Sequence, residues 1–431
     1  MSRAGRWIHH TSSALLGTFK RRPVRSGLLA LVLLASLGGG GYYSWAVYSW
    51  RQAQADLGNR KYAEANRRLE FCRKIWPDHP SLLLLSAKTA RKSGDLESSQ
   101  LYLSRFFNSK PESRDEAQIE SLLLRVQVGD DEAVEPLFKL VEQQHPDSPE
   151  MLETISLTYM KRLRYQAANG SLSRWIELYP DQALPYDLRG WVYERTASPA
   201  LAYEDYNKAL AIDPGLQRVR LQLVGLLLEE KKVTEAAPHL DILMKQAPDL
   251  VEVKARLGML RFLEGRSQEA RQLLEAIEPL LTHDLTPVVY LARLDVQENR
   301  GADAERRLRR VIESDPTETD ARFVILSALR LQGKDQEAAI AEKVQAKNQE
   351  RNVRVNQLLR DRVDKSDTTA DELAEVGTLF LEMQMDSRGI YWIDKALARD
   401  PNHQASHRVL MGHYDSKGDT ANAAFHRKLL R

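Results

Sequence analysis

The sequence predicts an all-α fold: a solenoid of about 11 antiparallel helix pairs, preceded by a single membrane-crossing helix. Three observations carry this. Prolines recur 34 residues apart, first at Pro77 and Pro111, then one residue late at Pro146, Pro180, Pro214 and Pro248, with Thr282 on the next rung and Pro316 after it. A fixed period in this range marks one supersecondary unit copied along the chain. Between the rungs, small and apolar residues recur at helical spacing, while β-branched runs and Asn-Gly turns are scarce, so strands are not expected. Finally, residues 26–48 carry no charge, a length sufficient for a helix to cross about 30 Å of hydrocarbon.

Residues 183–216 display the repeating unit best. A first helix carries Tyr186, Arg189, Gly190 and Tyr193; a second carries Ala202, Tyr206 and Ala209; Pro214 closes it. Small residues belong where two helices cross closely, and large ones fill the space between crossings. Proline ends the second helix because it cannot continue the hydrogen-bond ladder. This pattern resembles the tetratricopeptide repeat, over roughly 380 residues of the chain. The first copy, 46–79, is degenerate (Tyr62, Ala65, Leu69, Pro77), and 80–113 is clearer (Ala87, Gly94, Leu103, Pro111). Residues 114–148 are weakest and hold one extra residue; 149–182, 217–250, 251–284 and 285–318 follow in register. The resemblance implies a right-handed α-solenoid with its array over 49–335 and a C-terminal pair over 370–431.

One segment breaks the period. Residues 319–350 begin as a repeat (Leu326, Leu329, Gly333, Ala338) but lack the closing proline, and Gln336 to Asp364 reads as one long polar helix within an insertion at 336–369. Thr369 and Glu372 have the spacing of a capping box and restart the pattern. The plain reading is a lengthened helix pair; the functional one is an arm for a partner or for self-association.

The N-terminus suggests a topology. Residues 1–25 hold Arg3, Arg6, Lys20, Arg21, Arg22 and Arg25 and no acid, which keeps such a tail in the cytoplasm. Residues 26–48 then form a signal anchor, with Tyr42, Tyr43, Trp45 and Tyr48 as an interfacial aromatic belt, and the repeats lie on the periplasmic side. Two alternatives stay open: a cleaved secretory signal with Leu28 to Leu37 as its apolar core, and an organelle transit peptide.

No catalytic signature is present: no phosphate-binding glycine loop, no dinucleotide fingerprint, no His-Glu-x-x-His and no Gly-x-Ser-x-Gly. The expectation is therefore a protein without enzymatic activity, cofactor or metal. His403 and His407, with His413 and His426 nearby, are four apart on one helix face, but no carboxylate stands in register as a third ligand. Cys72 is alone and sits in a small-residue slot, so no intramolecular disulfide forms. Net charge is +2, too small to recruit nucleic acid.

In the family, four positions of each first helix line an inner groove. Carried onto this chain, they nominate Trp191, Leu221, Leu228, Met259, Phe262, Val289 and Arg293 as a surface for a protein or peptide partner. The family's clamp for peptide carboxylates is matched only loosely, by Lys88, Arg91 and Lys92. The sequence thus reads as a membrane-anchored scaffold in envelope assembly or secretion. The alternatives are a regulatory or substrate-recruiting subunit of a membrane enzyme, such as an envelope polymer synthase, and a soluble exported module if the leader is cut.

Overall fold

The computed structural model describes residues 23–431 except Ser113, Ala197, Thr317, Asp364, Ser366 and Arg431; of 23–40 it describes the backbone alone. Among the described residues there are 22 α-helices and no strand. They pair in chain order: α1 (Pro23–Gly58) with α2 (Tyr62–Ile75), α3 (Pro80–Ser93) with α4 (Leu96–Asn108), and α5 (Asp115–Val128) with α6 (Val134–Glu142). Then come α7 (Ser148–Lys161) with α8 (Tyr165–Leu178), α9 (Ala183–Arg195) with α10 (Pro199–Ile212), and α11 (Gln217–Glu229) with α12 (Val233–Gln246). Next are α13 (Val251–Leu263) with α14 (Ser267–Ile277), α15 (Thr286–Gln297) with α16 (Gly301–Ser314), and α17 (Thr319–Arg330) with α18 (Asp335–Asp361). Last are α19 (Ala370–Glu382) with α20 (Asp386–Arg399) and α21 (Gln404–Lys417) with α22 (Thr420–Leu429).

A second ladder accompanies the prolines. Among the described residues, the turn inside ten of the eleven pairs holds one residue with positive φ: Arg60, Gly94, Gly129, Leu163, Lys231, Gly265, Asn299, Gly333, Gln384 and Gly418. These rungs share the 34-residue period, the single extra residue before Gly129 and the insertion after Gly333. A left-handed residue reverses the chain within two or three residues, and glycine adopts it without steric cost. Where helices cross, small residues are obligatory. A Cβ on Gly190 would lie 2.7 Å from Tyr206, and one on Gly258 would lie 2.6 Å from Leu274.

The chain divides into two compact units, Met1–Thr154 and Ile155–Arg431. In the first, Ala53, Leu69, Cys72 and Leu82 form one small core, and Leu83, Ala87, Leu103, Phe106, Ala117 and Leu124 form another. Cys72 fills its small-residue slot as expected; burial raises its thiol pKa, and the thiol reaches Ala46 O at 3.4 Å. In the second unit one continuous core runs from Tyr186 to Ala338, and a separate one joins Val355 and Leu358 to Leu373, Phe380 and Trp392.

Among the described residues no helix is long and apolar enough to cross a membrane; the side chains of 26–40, most of the expected span, lie outside the described residues. The distal end of the expected span packs on the first repeat. The Tyr42 ring meets Phe71 edge-on at 5.1 Å, Tyr43 meets Trp76 at 5.1 Å, and Ala46 is fully buried. Residues 1–22, most of the expected basic tail, lie outside the described residues.

A concave face as candidate functional site

The site follows from how the repeats stack in the second unit. First helices touch across neighbouring repeats, α11 with α13, α13 with α15 and α15 with α17, whereas the second helices α12, α14 and α16 make no comparable contact with one another. The stack therefore bends toward its first helices, and these line the concave side.

The nominated groove residues divide on that face. Leu228, Met259 and Val289 are buried in the continuous core, at 1 % exposure or less. They wedge adjacent first helices apart, which is what inner positions do when those helices are in contact. Trp191, Leu221, Phe262 and Arg293 keep accessible surface. Trp191 is held by Tyr165 at 6.0 Å and by the Arg195 guanidinium, 5.1 Å from its ring centre. Phe262 meets the Tyr290 ring edge-on at 5.2 Å.

The charges on this face are unevenly satisfied. Arg218 pairs with Asp187, Arg256 with Asp284 at 3.2 Å, and Arg293 with Asp320 at 2.6 Å. Gly225 makes room for Arg256, whose guanidinium lies 3.2 Å from where a Cβ would stand. Glu194 and Glu229 form no such pair among the described residues. Burial among the surrounding walls raises the Glu194 carboxyl, against the fields of Arg195 and Arg256. Burial likewise raises Glu229, and the negative charges of Glu194, Asp284 and Asp320 add to it against Arg256. The face thus presents apolar side chains together with carboxylates that form no ion pair among the described residues.

Other sequence nominees are consumed internally. Arg91 is 2 % exposed and sits between Glu120, at 2.5 and 3.1 Å, and Glu150, at 2.5 Å, while Lys92 also holds Glu150 and Lys88 holds Glu116. These cations are spent within the first unit, so no clamp for an incoming carboxylate stands there. His403 caps α21 through Ser406 and meets Asp371 at 2.9 Å. His407 and His426 face each other with Nδ1 atoms 3.0 Å apart, and the His407 Nε2–H donates to Pro401 O. Among the described residues no cluster of three His, Cys, Asp or Glu could hold a metal. The basic run at 306–310 is largely paired, Arg306 with Asp303, Arg307 with Asp295 and Glu278, and Arg309 with Glu305.

Sequence reasoning missed Glu229 and the buried Asp295, which gathers Arg271, Arg300 and Arg307. Charged residues on predicted helices read as solvated; only the stacking of repeats buries them.

Comparison with known proteins agrees on the repeat. Residues 291–350 match the family model described as the tetratricopeptide repeat. A type IV pilus assembly protein of Pseudomonas aeruginosa, PilF, is 28 % identical over 123 residues, covering 28 % of this chain. The chain spans about half the length of that relative, 49 %. Among solved structures, a tetratricopeptide-repeat protein from Parabacteroides merdae is 13 % identical, with 77 % of this chain and 97 % of that one covered at a TM-score of 0.37. The structure of P. aeruginosa PilF is 21 % identical, with 46 % and 89 % covered at 0.37.

Proposed function

We propose that this tetratricopeptide-repeat protein is a non-catalytic scaffold whose concave face holds an extended segment of a partner protein, apolar with interspersed Lys or Arg. One observation carries the reading: partly accessible Trp191, Leu221 and Phe262 share the first-helix face with Glu194 and Glu229, which form no ion pair among the described residues while Arg218, Arg256 and Arg293 are paired. Apolar side chains of the partner cover the rings, and its cations complete the carboxylates. Aromatic anchors in such patches are worth roughly 2 kcal/mol or more when truncated.

The setting we favour is assembly at a membrane, with the uncharged stretch at 26–48 as tether and the repeats on the non-cytoplasmic side. The basic, acid-free leader supports this orientation, and the pilus-assembly relative supports an envelope context. A reporter active only after export, fused behind residue 60, tests the topology; a fusion active only in the cytoplasm overturns it. Crosslinked pull-down from membranes, comparing the parent with Trp191→Ala/Phe262→Ala, tests the scaffold. The partner is expected to be lost from the variant. Recovery of a defined membrane enzyme would select the regulatory-subunit reading.

A further inference from the structure

The long helix α18 makes a second site. At 27 residues it is about twice the length of its neighbours. Its first half serves its own repeat: Ala338 lies in the continuous core. Its second half overshoots, buries Val355 and Leu358 in the C-terminal core, and there receives Leu163 from the α7–α8 turn. Between the overshoot and the start of α8 and end of α9 a cleft of about 470 Å³ remains, within the range of small-ligand and peptide sites.

Its chemistry is one-sided. Tyr165, Val192, Tyr193 and Leu359 give it an apolar floor, Arg195 and Arg360 contribute the charge, and no carboxylate lines it. Neither Arg195 nor the nearby Arg388 forms an ion pair among the described residues. Among the described residues Arg360 ion-pairs only with its chain neighbour Asp361, at 3.3 Å and largely in solvent. The charges of Arg388 and Arg195 both reach Tyr165, opposing the burial that raises its phenol pKa. Asn169, also on the wall, has a buried Oδ1 without a hydrogen-bond partner. The cleft therefore offers two cations to an acceptor and one acceptor to a donor.

We propose that this cleft binds a short acidic peptide segment, its carboxylates on Arg195 and Arg360 and a main-chain N–H on Asn169 Oδ1. A peptide supplies both kinds of group. Inorganic phosphate or an RNA backbone brings acceptors to the arginines but only a hydroxyl as donor, without the regular main-chain N–H row of a peptide, and an unmet buried acceptor is costly. The preference is opposite in sign to that of the concave face, and the proposal does not rest on the function argued above, although Arg195 also stacks on Trp191.

Fluorescence anisotropy with the full-length protein tests it. The probe is a labelled eight-residue peptide alternating Glu and Leu; the comparators are the Lys/Leu peptide, inorganic phosphate and a single-stranded RNA octamer. The acidic peptide should bind, and Arg195→Gln/Arg360→Gln should weaken it about tenfold or more, since hydrogen bonds to charged groups are the strong ones. Asn169→Leu should weaken it further without altering its dependence on salt. Glu229→Gln, on the concave face, should leave this binding unchanged, and both arginine side chains are exposed enough for the variant to keep the parent's melting temperature. Absence of binding, an arginine variant that binds as the parent does, or phosphate or RNA binding as tightly with the same arginine dependence would each overturn the proposal.

Discussion

Replacing Arg91 with methionine should cost the first unit much of its stability. The Arg91 side chain is 1 % exposed and bonds both oxygens of Glu120, itself 1 % exposed, together with Glu150 and Thr154. Met fills the volume but leaves the Glu120 carboxylate buried and uncompensated. Breaking a buried pair from one side costs about 3–5 kcal/mol. With a urea slope of about 2 kcal/mol/M for a domain of this size, the midpoint should fall by about 2 M. Because solenoid repeats contact only their neighbours, the loss should show in the fluorescence of Trp50 and Trp76 and spare the second unit. Replacing Glu120 with leucine in the same chain should recover most of it, since an apolar pair of similar volume is often neutral. The network also has a pH signature. Burial alone would raise Glu150, but Arg91 and Lys92 overcome it and hold its carboxyl below the usual range. That stabilisation is present above the ordinary glutamate pKa and is lost as pH falls through the lowered value. A loss under about 1 kcal/mol for Arg91→Met, or a transition that moves in the second unit, would refute the reasoning.

Gly377→Ala should destabilise the C-terminal pair by about 1–3 kcal/mol, more than Gly190→Ala, in thermal melts. The new Cβ at 377 would stand 2.5 Å from an Ile393 carbon and 2.7 Å from the Gly389 carbonyl, and backbone yields less readily than the Tyr206 ring facing Gly190. Gly265→Ala, at φ +77, should cost about 1 kcal/mol, whereas Lys231→Gly on the equivalent rung should cost nothing or stabilise slightly in urea unfolding. Burial and the neighbouring His407 lower the His426 pKa, against Asp394. The unfolded chain therefore takes that proton more readily, and the melting temperature of the C-terminal pair should fall as pH drops from 7 toward 5; in His426→Asn that slope should flatten. Partner affinity at the concave face should weaken as pH falls through the raised values of Glu194 and Glu229, and Glu194→Gln/Glu229→Gln should remove that dependence in titration calorimetry.

The helix pairs were legible because their signals are local. A proline after most second helices, small residues at the crossings and the Thr369–Glu372 capping box act within a few residues, and they survive where Leu163 or Lys231 stands in place of glycine. The long helix at 336–364 was legible from its polarity and unbroken run, and its observed limits are Asp335–Asp361. The site was less so. Inner positions such as Leu228 and Met259 become core only when adjacent first helices touch, which the sequence of one repeat does not encode. Arg91 and Asp295 look like surface charges until a neighbouring repeat brings their partners. Of the aromatic group at 42–48, Tyr42 and Tyr43 pack on Phe71 and Trp76, partners one helix away that a local reading does not show.

The concave face is tested most directly by a photoreactive residue placed at Leu221 in living cells, with a second at Leu201, an exposed position on the second helix α10. The account predicts one defined protein adduct from Leu221, lost when Trp191→Ala and Phe262→Ala are added to a protein that still melts like the parent, and none from Leu201. Equal adducts from both positions, or an adduct from Leu221 that survives the two substitutions, would contradict it.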